Sequence, residues 1–342
     1  MESFGYLGSV PVGLIRLDNG EISCEVITYG AAIRSLTVPD GNGRPRDVVL
    51  GFDTLQEYRK HDCYFGAAIG PVANRISGAA CELNGQVLRL TKNDGEACNH
   101  SGSAGLNARL WSVMEETDAS VTLSCIHPNG LGGIPGELRV AVTYRLRGRA
   151  LCIEYWAVSS RDTLCSLTNH SYFNLDGHDS GPVNGHRVTL FSHSYTPTDA
   201  HSIPTGEIRA VAGTPMDLSH ATLLGDRLDL DYEPIRNAGG YDHNWLIDPN
   251  DEGMGFRPAA LVRSADSGIR MSVYTDRPCV QLYTGNYIPE GLAGKDGAVY
   301  HRRQGLALET QGFPDAPHHP GFPSITLRAG KVWQSRTEYR FG

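Results

Sequence analysis

Alternation of apolar and polar residues with a period of two constrains this chain more than any other feature. Residues 22–27, 33–38, 121–126, 138–146, 151–158, 269–274 and 332–341 are rich in Val, Ile, Thr and Tyr and largely follow that period. Successive side chains of a strand point to opposite faces, so each segment offers one apolar face to a core. Turn signals separate them: Asn19-Gly20, Asp40-Gly41-Asn42-Gly43, Asn84-Gly85, Arg147-Gly148-Arg149 and Asp296-Gly297, among 40 Gly and 19 Pro. Asn84-Gly85 predicts a tight hairpin, because both residues tolerate the positive φ of a type I′ turn. Helical signals are few. Thr54 can cap a short helix beginning at Leu55, and residues 222–228 can form a turn or two. Strands at this turn density, without alternating helices, predict an all-β, antiparallel sandwich rather than a βαβ sheet. No linker or repeat divides the chain, so one domain over residues 1–342 is expected.

Composition then removes whole classes of function. At 342 residues, 40% hydrophobic and 20% charged, the chain can bury a large core. Its formal net charge of -8 and lack of a Lys/Arg run argue against nucleic-acid and anionic-membrane partners, which need a clustered basic surface. The eight cysteines include no Cys-x-x-Cys pair and read as reduced, mostly buried thiols. The amino terminus has no basic and apolar leader pattern, and no long apolar run occurs, so a cytoplasmic location is expected. Two Asn-His-Ser triplets, at Asn99 and Asn169, match glycosylation sequons and are set aside for want of a secretion signal.

Cofactor signatures are missing as well. Residues 130–136, Gly-Leu-Gly-Gly-Ile-Pro-Gly, miss the dinucleotide spacing and read as a loop. Ala293-Gly294-Lys295-Asp296 lacks the other parts of a phosphate loop. His318-His319, read as part of a strand, would point to opposite faces, and the remaining His and Cys residues show no zinc-type spacing. Neither a cofactor nor a metal is expected.

Two distant segments set a titratable group among apolar, aromatic and amide residues. They are Thr168-Asn169-His170-Ser171-Tyr172-Phe173-Asn174-Leu175 and Leu308-Glu309-Thr310-Gln311-Gly312-Phe313-Pro314-Asp315. Such surroundings move a proton donor or acceptor off its solution behaviour, and the pair could place one proton on a small molecule while removing another. Each candidate also has a plainer reading. His170 alone reads as a core histidine bonded to backbone, and Glu309 as an edge carboxylate near a strand end. Arg75 can pair with a surface acid, His100 can cap a glycine turn, and Asp242 can open a turn. Gln281, in an alternating stretch over residues 280–284, faces either solvent or a pocket. His201 and His243 read as structural.

Those segments belong to an ordered set. Asn74-Arg75-Ile76, Asn99-His100-Ser101-Gly102, the His170 segment, Pro197-Thr198-Asp199, Gly213-Thr214-Pro215-Met216-Asp217, Gly240-Tyr241-Asp242-His243-Asn244, Gln281-Leu282-Tyr283-Thr284-Gly285-Asn286 and the Glu309 segment occur in the order seen in aldose 1-epimerases. From about residue 10 onward the chain resembles that family. The resemblance implies the galactose mutarotase-like supersandwich and a cofactor-free isomerase acting on a small aldose. By the same resemblance Glu309 would take the proton of the C1 hydroxyl and His170 would protonate the ring oxygen. Asn74, Arg75, His100, Asp242 and Gln281 would hold the sugar, with Tyr172, Phe173 or Trp245 against its C–H face. A monomer or weak homodimer is expected. Where relatives have Leu-His-Gly-Gly, this chain has Asn99-His100-Ser101-Gly102, and Leu106-Asn107-Ala108-Arg109 replaces a charged segment, which puts that pocket wall and the sugar preference in question. Three alternatives stay open: a non-catalytic sugar-binding module, a glycoside hydrolase using Asp242 and Glu309, and a hexose-6-phosphate epimerase, for whose phosphate only Arg75 is an obvious partner.

Overall fold

A computed structural model describes residues 1–250 and 253–342. Each of the alternating segments forms a strand whose ends differ from the sequence-based bounds by at most one residue. Nine strands make the larger sheet, in the order Ser112–Thr117, Ser120–His127, Leu138–Arg147, Ala150–Ser159, Val332–Phe341, Arg270–Thr275, Arg257–Arg263, Arg187–Leu190 and Thr222–Leu223. Six make the second: Tyr172–Phe173, Leu306–Gln311, Cys279–Tyr283, Asp242–Leu246, Ser194–Thr196 and Arg209–Ala210. Neighbours within both sheets are antiparallel. A third sheet of five strands spans the first 47 residues.

The two large sheets meet face to face. Tyr339 donates its hydroxyl to the Leu308 carbonyl at 3.0 Å, and its ring lies 4.8 Å from that of Phe173. Leu282, Leu308, Val280 and Trp245 join Val273, Ile153 and Tyr339 in a single buried cluster that runs in sequence from Ile15 to Phe341. This is the antiparallel sandwich that the alternation predicts.

Local expectations mostly hold. Asn84 and Gly85, at φ 52° and 76°, join strands Ala80–Leu83 and Gln86–Arg89. Helix α1, Leu55–Lys60, starts at Thr54, whose Oγ1 accepts the Glu57 N–H at 3.3 Å. Residues 222–228 are only partly helical: Thr222–Leu223 pairs with Arg187 and Val188 at the sheet edge, and a 3₁₀ turn follows at Leu224–Asp226. Helix α2, Glu233–Ala238, gave no expected signal; Pro234 opens it and Gly239 closes it in a left-handed conformation. His318 and His319 are not in a strand. A 3₁₀ turn over Ala316–His318 brings both to Asp315, with His318 Nδ1 at 2.6 Å and His319 Nε2 at 3.5 Å from its carboxylate oxygens.

One glycine ties the fold to the cleft described below. Gly66 lies at φ 69°, and a Cβ there would sit 1.9 Å from the Ile33 carbonyl oxygen. Its N–H donates to the His170 carbonyl at 3.0 Å. Gly66→Ala is therefore expected to destabilise the protein by about 1–3 kcal/mol or more, from overpacking and a disfavoured φ. It should also lower activity; thermal unfolding and polarimetry on the same sample check both.

Candidate active site

The six-stranded sheet sorts its side chains by parity. Gln281 is directly opposite Glu309 across one pair of strands, and Asp242 is opposite Tyr283 across the next. Opposed residues share a face, so Glu309, Gln281, Tyr283 and Asp242 all project to the side away from the nine-stranded sheet. Their chain neighbours Leu308, Leu282 and His243 take the other side. The same rule separates the three aromatic candidates: Tyr172 lines the cleft, whereas Phe173 and Trp245 belong to the core and do not reach it. The plainer reading of Glu309 as an edge carboxylate does not hold. It lies inside Leu306–Gln311, whose residues are all buried and which pairs on both sides.

His170 sits at the break between the short strands Thr168–Asn169 and Tyr172–Phe173. Its N–H donates to Ala67 O at 2.9 Å, and the flanking Asn169 donates Nδ2 to Gly66 O at 2.8 Å. Ser171 donates both its N–H and its hydroxyl to Asn169 Oδ1, at 3.1 and 2.6 Å. The imidazole is thus carried on a stitched turn, and its Nε2 lies 3.5 Å from Glu309 Oε1.

The far wall comes from two short paired strands, Arg75–Ile76 and Cys98–Asn99. Asn74 and His100, which precede and follow them, brace one another: His100 N–H donates to Asn74 O at 3.1 Å, and Asn74 N–H donates to His100 Nδ1 at 3.1 Å. Both residues, with Ser101 and Tyr64, have φ between 53° and 66°. That is rare for residues other than glycine, and such strain gathers at functional clefts. Arg75 donates Nε to Asp94 at 2.8 Å, while its NH1 is 3.9 Å from Asp242 Oδ2. Gln281 donates Nε2 to Asp242 Oδ1 at 2.7 Å and lies behind that carboxylate rather than on the cleft surface.

These residues enclose a cleft of about 1070 Å³ with His170 and Glu309 among its lining. Burial outweighs the neighbouring charges at both. It pushes the His170 imidazole down to about 4, against a smaller upward pull from Asp242. It holds the Glu309 carboxyl well above its usual range, helped by Asp242 and opposed by Arg75. His100 is likewise kept neutral by burial, then by His170 and Arg75. Burial thus disfavours the charged form of both members of the His170–Glu309 pair. Glu309 Oε2 and Gln281 Oε1 are buried and accept no hydrogen bond among the described residues.

A sequence profile described as aldose 1-epimerase matches residues 13–340. The chain belongs to the aldose 1-epimerase family. It is 40% identical over 340 residues to the galactose mutarotase of Homo sapiens, covering 99% of this chain and 97% of the human protein. To the galactose mutarotase of Bos taurus it is 39% identical over 335 residues, covering 98% and 95%. The crystal structure of an aldose epimerase homologue from C. elegans superposes with a TM-score of 0.89 at 31% identity, over 97% of this chain and 99% of that one. This aldose 1-epimerase is accordingly an isomerase of the racemase and epimerase class. That assignment replaces the glycoside hydrolase reading of Asp242 and Glu309.

Although no zinc-type spacing exists in the sequence, the fold gathers His100, His170 and Glu309 with potential ligand atoms within 4.8 Å. The His100 tautomer works against a metal there. A neutral imidazole that accepts at Nδ1 carries its proton on Nε2, which makes it a donor for a hydroxyl rather than a ligand. Sequence reasoning missed Tyr64, Tyr283 and Tyr287, which line the cleft of this epimerase. Tyr283 was within reach, being two residues beyond Gln281 on one strand face. Tyr64 sits in a turn, where no periodic signal exists; its ring centroid is 4.9 Å from that of His100 and 5.6 Å from that of His170.

An acid held above its unfolded pKa costs stability wherever the unfolded chain ionises and the fold does not. For Glu309 the cost is absent below pH 4.5 and grows as pH rises above it. Glu309→Gln is thus expected to raise the unfolding midpoint at pH 7 to 8 and to leave it little changed at pH 4, as differential scanning calorimetry across pH would show.

Proposed function

We propose that the His170–Glu309 pair performs the proton transfers of anomer interconversion on a free hexose such as galactose or glucose, and that residues 1–342 act as one β-sandwich unit. The carrying observation is a buried imidazole and a buried carboxyl 3.5 Å apart in the cleft. In the cyclic sugar the C1 hydroxyl and the ring oxygen share one carbon, so two such groups can reach both oxygens together. With the pair's single proton shifted onto His170, a transfer that Asp242 favours at the imidazole and Arg75 at the carboxyl, Glu309 takes the proton from the C1 hydroxyl as His170 gives one to the ring oxygen. The C1 to ring-oxygen bond breaks with its electron pair on the ring oxygen, and an aldehyde forms at C1. Rotation about the C1–C2 bond turns the other carbonyl face, and closure reverses both transfers with the roles exchanged. The pair begins and ends each turnover with the same proton count.

The remaining groups suit a neutral polyol. Asp242, held by Gln281 and facing Arg75, accepts from adjacent hydroxyls; His100 Nε2–H and the Arg75 fork donate. Asn74 acts by fixing His100. Tyr64, supported against both imidazoles, offers a flat face to the ring C–H groups, as does Tyr172. Among the described lining residues, two guanidinium groups, Arg59 and Arg75, stand with six carboxylates, Asp62, Asp94, Glu96, Asp199, Asp242 and Glu309. That balance disfavours a sugar phosphate. A monomer or weak homodimer is the expected working unit. All eight cysteines are free and buried, in keeping with a reducing cytoplasm. No helix among the described residues is long and apolar enough to cross a membrane.

Freshly dissolved α-galactose or α-glucose should reach anomeric equilibrium faster with this protein, followed by polarimetry. Glu309→Gln and His170→Asn should each lose roughly 10²- to 10⁴-fold of the acceleration while sugar binding persists. Two wild-type rates would show the roles misassigned, and a sugar-binding module would bind without accelerating at all. The profile of kcat/KM against pH should fall on its acid side as the pH drops through about 4, where the pair takes a second proton at His170. On its alkaline side it should fall once the pair loses the single proton that His170 must give.

A further inference from the structure

Residues 93–97 form a closed turn that lines part of the cleft wall and takes no part in the proton transfers. The N–H groups of Asn93 and Asp94 both donate to Ala97 O, at 3.2 and 3.3 Å, and Ala97 N–H donates back to Asp94 O at 2.9 Å. Asn93 anchors the turn to the strand that leads into His100: its Oδ1 accepts the Asn99 N–H at 2.7 Å and its Nδ2 donates to Asn99 O at 3.0 Å. From this base Asp94 reaches Arg75, accepting Nε at 2.8 Å.

The asymmetry of that ion pair is informative. The Arg75 side chain is 13% exposed and that of Asp94 is 44% exposed. A carboxylate so open to water gains little for the fold from such a pair. It does decide orientation. With Nε occupied by Asp94, the planar fork has one remaining direction, which sets NH1 3.9 Å from Asp242 Oδ2. At that separation the two groups share no direct hydrogen bond, and hydroxyls bound between them can use both. Asp94 is therefore placed to aim a cation it does not need for stability.

We propose that Asp94 is a positioning residue for aldose binding, acting through Arg75 from a turn that is itself tied to the His100 strand. The proposal rests on Arg75 holding the sugar. Its mark is a change in KM without one in kcat, because a group that holds ground state and transition state alike moves only KM.

The test is initial-rate polarimetry with α-galactose on Asp94→Asn, Asp94→Glu, Arg75→Ala and the double variant Arg75→Ala/Asp94→Asn, each with a thermal unfolding curve. Asp94→Asn should raise KM about tenfold, the scale of one charge-assisted hydrogen bond, with kcat and unfolding midpoint little changed. Asp94→Glu should recover most of the loss, and in the Arg75→Ala background Asp94→Asn should add nothing. A raised KM in Arg75→Ala beside a wild-type KM in Asp94→Asn overturns the Asp94 role alone. So does an Asp94→Asn effect of equal size with and without Arg75, since its route would then bypass the guanidinium. A wild-type KM in Arg75→Ala overturns the sugar-holding reading of Arg75, and the Asp94 role with it.

Discussion

Every residue of Leu306–Gln311 is buried, so a polar side chain on that strand has to find its partner in another side chain or in a ligand. Alternation gives the strand two incompatible faces. Leu308 goes to the sandwich core beneath Tyr339, and Glu309 goes to the opposite side beside Gln281. The adjoining strands repeat the division, with Leu282 and Trp245 in the core and Gln281 and Asp242 outside it. The result is a polar floor on the back of a hydrophobic sheet. Part of that floor is satisfied internally, as where Gln281 donates to Asp242, and part of it, Glu309 Oε2 and Gln281 Oε1, is left to whatever enters the cleft. A polyol supplies the hydroxyl donors that such acceptors lack.

The same burial governs the chemistry. In water an imidazole and a carboxylate near one another settle as an ion pair. Here desolvation is the largest influence on each and disfavours both charges. Asp242 draws a proton toward the pair, and Arg75 eases it away from Glu309. One proton poised between groups of opposing tendency suits a reaction in which acid and base must trade places within a turnover. A firmly charged pair would fix the two roles in one sense and penalise the return step.

How much of this is legible in the sequence follows from the same geometry. The period of two placed seven of the strands to within a residue and, carried one step further, separates Tyr172 from Phe173 and Asp242 from His243. The ordered motifs pointed to the right family, and the structure brings His170, Glu309, Arg75, His100 and Asp242 to one cleft. What periodicity cannot carry is position in turns. Tyr64 and Asp94 reach the cleft from closed turns, and helix α2 has its apolar residues in too short a run to register a helical period. The balance of burial against charge at His170 and Glu309 was likewise open until their neighbours in space were known. Local chain order says nothing about which cation or anion a fold will bring alongside.

The Asn99-His100-Ser101-Gly102 turn shows how the cleft wall holds His100 in place. Ser101 occupies a left-handed conformation, φ 66°, that a glycine would adopt without strain. Its hydroxyl offsets that strain by accepting the Val72 N–H at 2.9 Å and donating to the Val72 carbonyl at 3.2 Å. A buried serine thus ties the His100 turn to the neighbouring segment through two bonds that glycine lacks. Leu106, at the start of the segment that follows, is fully buried and accepts the Trp111 indole N–H on its carbonyl at 3.1 Å. The wall keeps the His100 backbone in place by a different set of contacts, while the floor of the sheet keeps the acid–base pair. Change in the wall is therefore expected to alter which hydroxyls are accommodated and to leave the proton chemistry intact, because the wall strands Arg75–Ile76 and Cys98–Asn99 are separate from the strand that carries Glu309.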